Sequence, residues 1–124
     1  MALFFRALSD RTRLRLLNLM GEREVCVCFF VEILGTNQPK ISRHLAYLRR
    51  AGIVGARREG KWMHYRITEP SDATAKRFLL EIRAWLQSDE AMKRDRLRLE
   101  SICCGMRMPA RLRQAPAPTL NTVS

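Results

Sequence analysis

Four cysteines form two close pairs in this chain, Cys26 with Cys28 and Cys103 with Cys104. Thiolates are soft ligands, so a site made of cysteine alone selects thiophilic ions over Mg²⁺ or Ca²⁺. Residues two apart in a helix point to nearly opposite sides, so Cys26 and Cys28 can bind one ion only where the backbone is extended. Adjacent residues are about 100° apart on a helix, and Cys103 and Cys104 converge more easily near a helix end. Each pair is a candidate metal site, with burial as small hydrophobes as the alternative.

A second group of residues with binding chemistry lies in the basic segment 38–68. Ile41, Leu45 and Leu48 recur at i, i+4 and i+7, which predicts a helix with one buried face. Glutamine and arginine can bond adenine and guanine bidentately, serine can bond bases or phosphates, and Lys/Arg suit phosphates. The predicted DNA contacts of this helix are Gln38, Pro39, Lys40, Ser42, Arg43, Arg49 and Arg50.

A basic hairpin is predicted directly after this helix. Residues 53–54 and 62–68 are β-prone and are joined by a polar stretch that contains Gly60. Its cations Arg57, Arg58 and Lys61 can reach a minor groove or the DNA backbone, with affinity that falls as salt rises. The alternative is a merely solvated charged face. His44 is predicted to pack or hydrogen-bond beside the core, and His64 to be structural.

The flanking segments predict the elements that position these groups. Ser9-Asp10 offers a cap for a helix that runs to Met20, and a further helix precedes the basic one across the turn at residues 35–37, giving helix, turn, helix. After Asp72 an apolar stripe predicts one long helix that extends to Ser101. Burial of this stripe against a second copy of the chain is favoured over packing within the monomer. Its residues are Ala75, Phe78, Leu79, Ile82, Trp85 and Leu86.

Length and composition bound the class of protein. The 124 residues suit one domain, and a net charge of +11, from 23 basic against 12 acidic residues, indicates a polyanionic partner. No run of about 18 apolar residues exists and the N-terminus lacks a secretory signal, so a soluble cytoplasmic protein without membrane contact is expected. Proline-rich residues 105–124 are predicted to be a disordered tail, which leaves residues 1–104 as the DNA-binding and dimerisation domain. No carboxylate pair, nucleophile–base set or phosphate loop suggests an enzyme.

The chain resembles the ArsR family of winged-helix, metal-responsive repressors. The resemblance covers most of residues 3–86 and is carried by residues 8–14, Cys26-Val27-Cys28, residues 41–45 and residues 60–66. It implies a mainly α fold with a small β-hairpin, a winged helix-turn-helix that is dimeric through its terminal helices. It further implies a homodimer on an inverted-repeat operator in double-stranded DNA, with no cofactor needed for DNA binding and release when a ligand binds.

Members of the family that sense arsenic bind trivalent arsenic or antimony through Cys-Val-Cys, and others use adjacent cysteines near the end of the dimer helix, where Cys103-Cys104 lies. Here Phe29-Phe30-Val31 follows the first pair and no cysteine follows Cys104, so each pair lacks a third thiol. Cys103 and Cys104 could take a two-thiolate ligand such as a methylated trivalent arsenical, or recruit a third thiol from the partner chain. Arg98 and Arg107, near this pair in the sequence, would favour thiolate over thiol. The predicted dimer helix contains no histidine, which argues against a His/carboxylate zinc site.

Three other interpretations stay open from the sequence. The thiols could respond to oxidants, or the ligand could be zinc or cadmium. The chain could also be a DNA-binding module without any ligand.

Overall fold

An antiparallel sheet of four strands lies beside six helices in the computed structural model, which describes residues 1–104, 112 and 114–120. The elements follow the order α1 Ala2–Leu8, α2 Arg11–Met20, β1 Arg23–Cys26, α3 Val27–Leu34, α4 Gln38–Arg50, β2 Val54–Glu59, β3 Trp62–Ile67, α5 Ala73–Ser88, α6 Glu90–Cys104 and β4 Thr119–Leu120. The strand order is β2-β3-β1-β4. The predicted class, mainly α with a small β-hairpin, is confirmed.

Side-chain caps and a glycine set the ends of the helices in the helix-turn-helix. Asp10 caps α2 by accepting a hydrogen bond from the Arg13 backbone N–H at 3.1 Å. Gly35 ends α3 with a φ of 65°, a left-handed conformation that glycine adopts without strain. Asn37 then caps α4 through the Lys40 N–H at 3.0 Å. Gly35 and Asn37 together produce the predicted turn between α3 and α4.

The buried face of α4 is the predicted one. Ile41, Leu45 and Leu48 are fully buried in a core that also contains Phe29 and Phe30 of α3. Burying each such side chain stabilises the fold by about 1.5–3 kcal/mol. The opposite face of α4 is therefore left toward solvent.

The hairpin is tighter than the sequence suggests. β2 and β3 pair from Val54 opposite Ile67 to Glu59 opposite Trp62, so only Gly60 and Lys61 remain in the turn. Gly60 has a φ of 59°, which suits the first position of a two-residue hairpin turn. The predicted polar connection at residues 57–61 is thus mostly strand.

Strand β1 was not foreseen from its four residues. It joins the wing as a third strand, with Val25 opposite Tyr65 and Cys26 opposite His64. Its partners lie about forty residues away in sequence, and so short a strand carries little periodic signal of its own.

The single long helix predicted from Asp72 to Ser101 is wrong. Asp89 is extended, with φ −78° and ψ 130°, and its carboxylate accepts a hydrogen bond from the Met92 N–H at 3.1 Å at the start of α6. The break lets α6 fold back onto α2 and α3, where Met92, Leu99 and Ile102 are buried. These apolar side chains of α6 are buried within the monomer, which favours this turn over a straight continuation.

The predicted tail lies mostly outside the described residues. Within it, Thr119–Leu120 form β4, whose residues pair with Glu24 and Arg23 of β1. The structure therefore differs from the prediction of a disordered tail at these two residues, because the outer edge of β1 offers unpaired backbone groups to a further strand. Among the residues described, no helix is long and apolar enough to span a membrane.

Candidate nucleic-acid interface and thiol pair

The start of α4 presents most of the predicted DNA contacts on one surface. Gln38, Pro39, Lys40 and Arg43 are exposed and Ser42 is half-buried, while Ile41 beside them points into the core. Arg49 and Arg50 are exposed at the other end of the helix. The predicted base-reading groups therefore lie at the N-terminal end of α4, which is the end that touches base edges when a helix enters the major groove.

The three predicted wing cations are exposed, but one of them already has a partner within the chain. Arg57 donates to Glu24 Oε1 from Nε at 2.9 Å and from Nη2 at 2.6 Å. This hydrogen bond lowers the pKa of Glu24. Lys61 places its ammonium 5.0 Å from the centre of the Trp62 ring, and Arg58 is exposed beside it.

Arg13 links α4 to the first two helices. Its Nε donates to the Ala7 carbonyl at 2.7 Å and its Nη2 to the Arg6 carbonyl at 2.8 Å, at the C-terminal end of α1. Its guanidinium lies 4.5 Å from the centre of the Tyr47 ring on α4. His44 Nδ1 is 3.3 Å from Arg13 Nη1, so His44 hydrogen-bonds beside the core as predicted.

Cys26 and Cys28 come together at the junction of β1 and α3. Cys26 is the N-cap residue of α3 and is extended, with φ −67° and ψ 141°. Val27 and Cys28 already belong to the helix, so the extended backbone that the spacing requires is present only at Cys26. The two sulfur atoms are 3.0 Å apart. Cys26 is buried and Cys28 half-buried, so the pair lies just beneath the surface.

The contact between the two thiols separates their acidities. The Cys28 thiol donates to the Cys26 sulfur, which lowers the pKa of Cys26 from 9.0 to about 7, assisted by backbone N–H groups at the start of α3. The same contact raises the pKa of Cys28, and burial adds to that rise. Cys26 therefore loses its proton as the pH rises through neutrality while Cys28 keeps its own, which makes Cys26 a nucleophilic soft ligand.

The second pair stands in the last turn of α6. Cys103 is buried, with its sulfur 3.9 Å from the Glu100 carbonyl, and Cys104 ends the helix. Arg98, expected to lie near these thiols, donates instead to the Ile33 carbonyl at 3.1 Å. Arg107 lies outside the described residues. In the part of the chain that the structure describes, no group of three or more Cys, His, Asp or Glu could hold one metal ion.

His64 has a structural role, as predicted. It lies opposite Cys26 in the sheet, is buried, and its Nε2 is 3.1 Å from Glu59 Oε1. Sequence reasoning missed two residues that organise the site, Arg13 and Glu24. No sequence signal pairs Glu24 with the hairpin, because the short strand that carries it has little periodicity of its own.

Comparison with known proteins places the fold in a family. A model of the bacterial regulatory protein arsR family matches residues 10–55. The arsenical resistance operon repressor of Escherichia coli (strain K12) is 42% identical over 90 residues, which are 72% of this chain and 75% of that protein. The chain belongs to the ArsR family.

Two further relatives extend the assignment. The arsenic resistance transcriptional regulator ArsR1 of Pseudomonas putida is 43% identical over 90 residues, covering 68% of this ArsR-family chain and 70% of that protein. A homodimeric winged helix-turn-helix DNA-binding domain from Mycobacterium bovis superposes with a TM-score of 0.56 at 29% identity, over 69% of this chain and 77% of that chain. This ArsR-family protein is a DNA-binding transcriptional repressor, a regulator and not an enzyme.

Proposed function

We propose that trivalent arsenic or antimony, inorganic or methylated, releases this repressor from its operator by binding the thiolates of Cys26 and Cys28. The observation that carries the proposal is the 3.0 Å separation of the two sulfur atoms at the start of α3. Two relatives are named for arsenic resistance, which supports the choice of element.

The two thiol groups of Cys26 and Cys28 are sufficient to bind trivalent arsenic. The Cys26 thiolate displaces one hydroxide from arsenous acid, and the Cys28 thiol then displaces a second as its proton leaves with that hydroxide as water. Two As–S bonds leave one position on arsenic for hydroxide, a methyl group or a third thiol. Soft thiolates favour this ion over the hard divalent cations.

Release follows from where the pair lies. Cys26 occupies the N-cap position of α3, and α3 leads through the turn at Gly35 into α4. Rearranging the cap to bind an ion shifts the helix that supports the DNA-contacting one, and the ion-bound form fits DNA less well. By linkage, DNA weakens ion binding by the same factor.

The exposed start of α4 is the proposed base-reading surface. Arg43 and Gln38 have the donor sets that bond guanine and adenine bidentately, while Ser42, Pro39 and Lys40 contact the neighbouring bases and backbone. Arg49, Arg50, Arg57, Arg58 and Lys61 are the proposed phosphate contacts.

We infer that the operator-binding form is a homodimer on an inverted repeat. An aromatic surface on α1 and α5 is open to solvent, with Phe5, Phe78 and Trp85 exposed by 45%, 43% and 50%. The Phe5 and Phe78 rings stand 5.4 Å apart, so the two helices present one continuous apolar face. Exposed patches of this kind mark protein interfaces, and a two-fold dimer pairs such a patch with itself.

Cys103 and Cys104 are the second candidate pair. They lie on α6, and Arg98 of this helix donates a hydrogen bond to the Ile33 carbonyl near the end of α3. A thiol from this pair, of the same or the partner chain, is the proposed third ligand wherever arsenic takes three sulfurs.

The test is DNA release from each cysteine variant. The protein first selects its DNA from a random-sequence library, and labelled selected DNA is then titrated by fluorescence anisotropy with and without arsenite, antimonite, methylarsenite, zinc or cadmium. Arsenite is expected to release the wild type but not the Cys26→Ser/Cys28→Ser variant, which should still bind DNA. The Cys103→Ser/Cys104→Ser variant shows whether the second pair contributes.

Three results would overturn the arsenic proposal. Release by zinc or cadmium alone would make the protein a divalent-ion sensor. Release by peroxide without any response to arsenite would support a thiol-redox repressor, an alternative that the 3.0 Å contact also favours. In that reaction two thiols and one peroxide give one disulfide and two waters. DNA binding unaffected by any of these agents would leave a ligand-independent module.

A further inference from the structure

The short strand β1 carries both a sensing thiol and an acidic residue that holds the wing. Cys26 is its last residue and Glu24 lies two positions earlier, so the two side chains share one face of the sheet. In the neighbouring strands His64 lies opposite Cys26, and Arg57 lies opposite His64. Cys26, His64 and Arg57 thus form one row across three strands.

The Glu24 side chain reaches from β1 across β3 to Arg57 on β2. Its Oε1 accepts hydrogen bonds from Arg57 at 2.6 and 2.9 Å, across the intervening strand β3. The Glu24 side chain is only 12% exposed, whereas that of Arg57 is 47% exposed. A largely buried carboxylate therefore fixes a guanidinium that reaches the surface of the wing.

A second carboxylate closes the network. Glu59 contacts Arg57 Nη1 at 3.7 Å through one oxygen and His64 Nε2 at 3.1 Å through the other. The wing arginine is thus tied both to β1 and to the residue opposite Cys26. A displacement of β1 reaches Arg57 by either route.

Ligand binding changes the geometry at the end of β1. Two metal–sulfur bonds of about 2.3 Å, at angles of about 95–110°, put two sulfurs about 3.4–3.8 Å apart. The sulfur atoms of Cys26 and Cys28 are 3.0 Å apart without ligand, so they must separate. Cys28 lies in the first turn of α3 and Cys26 ends β1, so the separation of the two sulfurs acts on both elements.

We propose that Glu24 is a positioning residue that couples Cys26 and Cys28 to DNA through Arg57. In the ligand-free protein the Glu24–Arg57 pair holds the wing cation in place for DNA. When the thiols bind an ion, β1 shifts and Glu24 carries Arg57 out of that position. This inference rests on the proposed function, because it requires that a ligand at the two thiols lowers DNA affinity.

The test compares Glu24→Gln with Glu69→Gln. Both changes remove one negative charge, but Glu69 is 76% exposed and contacts Lys76 rather than Arg57. For each protein the dissociation constant for selected DNA is measured with and without arsenite at several salt concentrations. Arsenite occupancy is followed separately by the ultraviolet absorbance of the arsenic–thiolate bonds.

Wild type and Glu69→Gln are expected to show the same arsenite-induced loss of affinity, within the range of about 5- to 150-fold usual for coupled sites. In Glu24→Gln this ratio should fall to less than about threefold while arsenite still binds.

Arg57→Gln provides a second route if Glu24→Gln does not fold. It should bind DNA more weakly and should also lose most of the arsenite response. A full wild-type response in both variants would overturn the inference and leave the proposed function standing. If arsenite fails to release even the wild type, it is the proposed function that fails.

Discussion

The guanidinium of Arg13 lies 4.5 Å from the centre of the Tyr47 ring, while its Nε and Nη2 bond the last carbonyls of α1. One side chain thus joins the exposed aromatic face of α1 to the DNA-contacting helix. The contact includes both cation–π attraction and hydrogen bonds from a charged donor.

Arg13→Gln is expected to lower the free energy of unfolding by about 1–3 kcal/mol, because the cation–π contact and two hydrogen bonds are lost. Urea unfolding followed by circular dichroism measures it. Arg11→Gln is the control, since Arg11 is exposed on the same helix and its loss should change stability by less than about 0.5 kcal/mol. Equal effects in the two variants would contradict the role assigned to Arg13.

The acidity of Cys26 should depend on its neighbour. Its pKa is lowered to about 7 because the Cys28 thiol donates to its sulfur, so thiolate accumulates as the pH rises through 7 rather than 9. Cys28→Ala should return the titration toward 9.0, and Cys28→Ser, which keeps a hydroxyl donor, should fall between. Thiolate ultraviolet absorbance between about pH 5 and 10 measures it. Cys103→Ala is the matched control. An unchanged titration in Cys28→Ala would refute the hydrogen bond from the Cys28 thiol to the Cys26 sulfur.

The docking of α6 onto the body of the protein can be tested by two leucines on the same helix. Leu99 is fully buried and Leu97 is 60% exposed. Leu99→Ala should destabilise the protein by about 2–5 kcal/mol, through lost burial and the cavity it leaves. Leu97→Ala should cost less than about 0.5 kcal/mol. Chemical unfolding of both variants measures the difference, and a straight helix that left α6 in solvent would make the two alike.

A charge on the exposed aromatic surface should oppose dimer formation. Phe78→Glu places a carboxylate beside Phe5 and is expected to raise the dimer dissociation constant by about thirtyfold or more, the effect of losing a central interface anchor. Sedimentation velocity over a concentration series measures it. Leu97→Glu, on α6, should leave the dimer intact, and a Phe78→Glu protein that remains dimeric would exclude this surface.

The recognition helix and the wing should contribute differently to DNA binding. Arg43→Ala should relax the preference at one base-pair position by about 1–3 kcal/mol, because a bidentate base contact is lost. Arg58→Gln should weaken binding to all sequences alike and reduce the salt slope by about one. Anisotropy titrations against single-base variants of the selected DNA, at several salt concentrations, separate the two. If Arg58→Gln changed the base preference and Arg43→Ala weakened binding to all sequences alike, the roles assigned to the two arginines would be wrong.

The sequence determined the features that depend on neighbouring residues. Asp10 before α2, Gly35 and Asn37 before α4, and the i, i+4, i+7 spacing of Ile41, Leu45 and Leu48 act within a few residues, since caps, positive φ angles and helical faces are local properties. The thiol spacing required an extended segment for the two cysteines to share one ion, and the structure has that backbone at Cys26 but a helix from Val27 onward. The recognition helix and the wing were therefore predictable without knowledge of the fold.

The tertiary structure decided what depends on partners far along the chain. Three features depend on contacts between elements that are far apart in the sequence. They are the Glu24–Arg57 pair, strand β1 and the break at Asp89. Local periodicity fitted a straight helix beyond Asp89 equally well, and only the groove between α2 and α3 gave its second half a better place to bury its apolar side chains. The 3.0 Å approach of Cys28 to Cys26 belongs to the same class, because it needs the end of a strand and the start of a helix to meet at one residue.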